Sequence, residues 1–95
     1  MDRAEFESAL RAQGYLEVVG SRMEPNSFSP EHVHEFDARV LILEGEMTII
    51  SNGAEQTYRA GDTFAMNAGR RHAQQGGPQG VQFLVGRRYP QQASG

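Results

Sequence analysis

Two stretches decide the reading of this chain. The first is Pro30-Glu31-His32-Val33-His34-Glu35-Phe36-Asp37-Ala38-Arg39-Val40-Leu41-Ile42-Leu43-Glu44-Gly45-Glu46. The second, beginning after fifteen intervening residues counted from Gly45, is Gly61-Asp62-Thr63-Phe64-Ala65-Met66-Asn67-Ala68-Gly69-Arg70-Arg71-His72. Together they hold all 3 histidines of the chain. On an extended strand, residues i and i+2 face the same side, so His32 and His34 can reach one point. Imidazole nitrogen is a ligand for Fe, Mn, Zn and Ni, and acidic Glu31, Glu35 and Asp37 crowd the same place. Taken alone, the pair also fits a polar strand end at the surface.

The flanking sequence reads as strands and turns. Ala38–Leu43 is a buried strand ending in a turn at Glu44-Gly45-Glu46. Met47–Ser51 then meets Asn52-Gly53, a strong hairpin signal, and Glu55–Arg59 returns. Gly61-Asp62 turns the chain into Thr63–Met66. Gly76–Gly80 reads as a loop before Val81–Val85. Upstream, Tyr15–Val19 is a β-branched run that Arg22–Glu24 can continue, and Pro25–Ser27 with Ser29-Pro30 punctuate a loop. The first residues form a helix instead: Asp2 caps it, Glu5 completes a capping box, and Gly14 stops it. Phe6, Ala9, Leu10 and Gln13 make a narrow apolar stripe suited to packing across a sheet. Residues 91–95 read as a frayed tail. Seven or eight short strands with no repeat or linker describe one all-β domain over residues 1–95.

The two stretches resemble the two motifs of the cupin superfamily. The first, about 30–45, is a His-x-His pair, an acid a few residues on, then apolar residues ending in a glycine turn. The second, about 61–76, is Gly, five residues, Pro-x-Gly, two residues and His; its spacing is kept here, with Asn67 where proline is usual. The resemblance implies a small RmlC-like domain, an antiparallel jelly-roll β-barrel with a short N-terminal helix. It also implies one divalent metal ion (Fe, Mn, Zn or Ni) on His32, His34 and His72. The fourth ligand departs from the pattern. Counting back from Gly45, the usual glutamate position is Ala38; counting forward from His34 can give Arg39. Asp37 is then the nearest stand-in.

Around that centre, Arg39, Arg70 and Arg71 are candidate anchors for an anionic substrate, since a guanidinium grips carboxylate or phosphate bidentately. Phe36 and Met66, with Phe28, Met47, Phe64 and Phe83, can line an apolar pocket. The resemblance implies a metal-dependent enzyme on a small anionic molecule, dioxygenase-like or isomerase-like. Its alternative is a non-catalytic binding or sensor cupin, like the sensor domains of sugar-responsive regulators.

Composition closes off other classes. The 95 residues contain no cysteine, hence no disulfide, thiolate nucleophile or zinc finger. All 9 basic residues are arginine, which removes Schiff-base chemistry and the P-loop. A net charge of −3 without a basic face argues against nucleic acid. No run approaches a membrane span or signal peptide, so a cytoplasmic protein is expected. Leu, Ile, Val and Phe supply about a fifth of the chain, a thin core that favours a homodimer through the N-terminal segment or the strand after Gly14.

Overall fold

The computed structural model describes residues 1–89; the tail expected at 91–95 lies outside the described residues. Helix α1 (Arg3–Ala12) is followed by strands β1 (Glu17–Met23), β2 (Phe28–His32), β3 (Asp37–Ser51), β4 (Ala54–Arg59), β5 (Thr63–Met66) and β6 (His72–Arg88). The fold is the expected antiparallel jelly roll, reached with fewer and longer strands. Two corrections explain the difference. Glu44–Glu46 and Gly76–Gly80 do not end strands; they lie inside β3 and β6. Ser29-Pro30 is not loop but part of β2, whose register with β6 is irregular between Ser29 and His32. An edge position tolerates a proline that has no N–H to donate.

β3 and β6 pair antiparallel from Asp37↔Arg88 to Ile50↔Ala73, and every other strand joins this ribbon. β4 and β5 flank the two halves of β3, while β2 and β1 flank the two halves of β6. The register shifts between Ile42 and Glu44 and again between Gly45 and Met47. Side chains alternate across a strand, so inserted residues exchange its faces. On β3 the inward row therefore passes from Ala38, Val40 and Ile42 to Met47 and Ile49; Met66, Val81 and Phe83 complete this inner core. Gly45 makes the bulge possible. Its φ is +78°, and a Cβ there would lie 2.1 Å from the Gly80 carbonyl oxygen.

The opposite face carries a second core of Phe6, Leu10, Tyr15, Leu41 and Leu84. The helix forms as expected: the Glu5 N–H donates to Asp2 Oδ1 at 2.8 Å, and the capping box is complete. Phe6 and Leu10, one turn apart, are its buried residues. Gly86 lets Leu10 approach β6, since a Cβ at 86 would fall 2.3 Å from Leu10 Cδ1. The Asn52-Gly53 hairpin also forms as expected, both residues having positive φ and Ser51 facing Ala54.

Gly45→Ala should destabilise the fold by about 3 kcal/mol, combining left-handed strain with a backbone clash. Gly53→Ala meets nothing within 4 Å at φ +77°. It should lose about 1 kcal/mol, from strain alone. Urea unfolding compares them, and equal losses would show that the Gly45–Gly80 contact does not limit the bulge.

Candidate metal centre

His32 closes β2 directly opposite His72, the first residue of β6. His34 lies just beyond β2 rather than on it, so the i, i+2 geometry expected of one strand does not bring the pair together. A backbone tether does: the Gly69 N–H donates to the His34 carbonyl at 3.0 Å. Gly69 has φ +82°, the left-handed turn that glycine permits at low cost and that leads the chain toward His72. The ring centroids lie 4.8 Å (His32–His34), 4.5 Å (His32–His72) and 5.1 Å (His34–His72) apart. One candidate ligand atom from each falls within 4.8 Å of the others.

The imidazoles are also oriented. His32 Nδ1 sits 2.7 Å from the Pro30 carbonyl, and His72 Nδ1 3.1 Å from that of Arg70. A carbonyl only accepts, so each neutral ring carries its proton on Nδ1 and presents an Nε2 lone pair. Metal-bound histidines are held in this way. His34 stacks on Phe36 at 4.7 Å. Burial pushes the His34 pKa below 6.5, and the charges of His32, His72 and Arg87 act in the same direction. Burial likewise lowers that of His72, opposed by its bond to the Arg70 carbonyl. The donor set therefore fits a divalent ion: three imidazoles, converging and partly shielded from water.

The other expected site residues separate into two groups. Phe36 and Met66 line a cavity of about 190 Å³ with His34 and His72. Ala38, Met47, Phe64 and Phe83 line it as well, whereas Phe28 is 57% exposed and does not. Asp37 is not in the histidine group. Its Oδ1 accepts from the Ala68 N–H at 2.9 Å and its Oδ2 from Arg88 at 3.2 Å, contacts that hold its pKa below the ordinary carboxylate value. Arg39 faces away from the cavity and donates to Gln13 Oε1 at 2.9 Å, bracing the helix. Arg70 reaches Ser51 Oγ at 3.2 Å, and Arg71 pairs with Glu31 at 2.7 Å. These arginines hold the site's frame rather than lining its cavity.

Arg87, Ser21 and Gln74 line the cavity without having been anticipated. Reading the last strand as ending at Val85 hid Arg87, although the alternation Val81, Phe83, Val85 points to it.

The sequence profile of the cupin domain matches residues 21–75, which span both histidine stretches. The chain belongs to the cupin family. Solved structures share its fold. A conserved protein of unknown function from Streptococcus pyogenes is 24% identical with a TM-score of 0.68, covering 79% of this chain and 65% of its own. The polyketide cyclase RemF from Streptomyces resistomycificus is 27% identical with a TM-score of 0.67, covering 74% of this cupin and 51% of its own chain. The cupin domain of an XRE family transcriptional regulator from Enterobacter cloacae shares the fold at 19% identity, with a TM-score of 0.68 and coverages of 78% and 81%. This cupin thus spans between about half and two thirds of the length of the first two. No curated protein matches it in sequence. Among the described residues, no helix is long and apolar enough to cross a membrane.

The centre generates a pH prediction with a definite sign. A histidine whose folded pKa lies below 6.5 contributes stability above that pH and loses it as pH falls toward the folded value. Metal retention should follow the same course, because a protonated imidazole has no lone pair to offer. His72→Ala should flatten the acid-side fall in Tm and reduce bound metal from about one ion per chain to near zero. Elemental analysis of untagged protein checks this, and full metal content in the variant would remove His72 from the ligand set.

Proposed function

We propose that this cupin holds one divalent metal ion, Fe, Mn, Zn or Ni, on His32, His34 and His72, and acts on a small anionic molecule bound in the adjoining cavity. One observation carries the reading: three imidazoles, two with their Nδ1 atoms committed to backbone carbonyls, converge beside a cavity of about 190 Å³. Bound there, the ion supplies Lewis acidity and a template with open positions, since three neutral nitrogens leave its charge uncancelled.

The rest of the work falls to the chain itself. Val40, Ile49, Phe64, Met66 and Phe83 give the cavity an apolar wall that excludes water and strengthens electrostatic contacts inside. Phe36 keeps the His34 ring in place by stacking. Ala38 presents a methyl group where an acidic side chain would take up space and charge, so anionic ligands are favoured over neutral ones. Dioxygenase-like or isomerase-like turnover suits such a site. The likeness to RemF, a polyketide cyclase, supports a catalytic role for this cupin.

Assembly as a homodimer accompanies this reading. β1 pairs with β6 along one edge, and its other edge has no strand partner among the described residues. Leu16, 90% exposed, stands at its start. Unpaired edges invite a second chain. Light scattering at micromolar concentration should give twice the chain mass; a monomer would remove this part.

Protein purified with its metal should consume dioxygen, or isomerise a substrate by NMR, with chelating carboxylates or β-dicarbonyl enolates, and EDTA should abolish the effect. Tight binding without turnover would identify a sensor-type cupin instead. A wild-type protein that retains no divalent ion would overturn the proposal.

A further inference from the structure

Arg87 is a charge on the inner face of the sheet. Alternation along β6 places it in the row of Val81, Phe83 and Val85, and it lines the cavity that His34 and His72 also line. Its guanidinium carbon lies 4.9 Å from the centroid of Phe36, the ring that stacks on His34. Directly across the ladder stands Ala38, so β3 opposes the cation with a methyl group. β6 is paired on both sides, so Arg87 has two opposed residues close enough to meet it: Ala38 on β3 and Glu17 on β1. Glu17, its partner on β1, pairs with it only in a half-exposed contact at 3.5 Å. That contact engages one terminal nitrogen. The Arg87 Nε is buried without a hydrogen-bond partner among the described residues. An unsatisfied buried donor is costly, which makes this edge of the guanidinium a place where an acceptor gains most.

We propose that Arg87 determines ligand specificity by binding the carboxylate of a small organic acid, whose anionic group occupies the space left between Arg87 and Ala38 beside the histidine cluster. Guanidinium and carboxylate are planar and match through paired N–H···O bonds, which the terminal nitrogens of the fork can supply. The apolar wall of Val40, Phe64 and Met66 then receives the ligand's carbon skeleton. The inference rests on the small-molecule reading of the cavity, but it assigns the anion's recognition to a residue that binds no metal.

Titration calorimetry with mandelate, its neutral counterpart mandelamide and inorganic phosphate tests the assignment, on metal-loaded and on EDTA-treated protein. Arg87→Gln should weaken mandelate binding by at least about tenfold, the weight of one charge-assisted hydrogen bond, and leave mandelamide unchanged. Arg87→Lys should recover part of the affinity. Ala38→Glu, which supplies an internal acid opposite Arg87, should also weaken mandelate while circular dichroism confirms the fold. Metal content, measured on each sample, should be unchanged in the Arg87 variants. Loss of metal from the wild type would overturn the function proposed above, while the Arg87 effect would still be read in the EDTA-treated protein. Equal mandelate affinity in wild type and Arg87→Gln, no mandelate binding by either wild-type form, or preference for phosphate would overturn the assignment.

Discussion

Everything in this cupin hangs on the antiparallel pairing of β3 with β6. The two strands run together through most of their length, and each of the four remaining strands adds to one half of one of them. A straight ribbon of this length would keep one set of alternating residues on each face and could not enclose a cavity. The register shifts around Gly45 exchange the faces at mid-length. As a result Ala38, Val40 and Ile42 from one half meet Met47 and Ile49 from the other in a single core. The bulge is held by the near-contact of Gly45 with the Gly80 carbonyl, where no side chain fits. The single core and the cavity follow from those register shifts.

The same pairing sets the histidines. β2 meets the start of β6, which puts His32 across from His72, and the turn before β6 is pinned from several sides. Gly69 bonds the His34 carbonyl, Ala68 bonds Asp37, and Ser51 donates to the Arg71 carbonyl at 2.8 Å. Rigid backbone acceptors at Pro30 and Arg70 then select the tautomers. The acidic and basic residues nearest the motif serve this frame. Asp37 and Arg71 look like candidates for direct chemistry in the sequence, yet their charges are spent on Ala68, Arg88 and Glu31. What lines the cavity is His34, His72, an apolar wall and the inward Arg87, with Ser21 and Gln74.

Much was legible from residues alone. Two spaced motifs carried the family, Asn52-Gly53 carried the hairpin, and Asp2 with Glu5 carried the helix start. Each is a local signal, in which a residue type meets a steric or hydrogen-bonding demand of its immediate neighbours. The long strands were harder. Glu44-Gly45-Glu46 and the Gly76–Gly80 segment have the composition of turns, and glycine marks a turn or a bulge with equal ease. Which one forms depends on whether a partner strand continues alongside, and that partner is remote in sequence.

The sequence by itself determined the fold family, the identity of the three histidines and the absence of an acid at Ala38, because these are properties of residue type and spacing. The tertiary structure alone decided which charges face the cavity. Arg39, Arg70 and Arg71 lie close to the motifs in sequence but are held by Gln13, Ser51 and Glu31, while Arg87 arrives from the end of β6, opposite Ala38. A side chain's facing is fixed by strand register, and register here is set by bulges and by pairing between segments remote in sequence, such as Ala38 with Arg87.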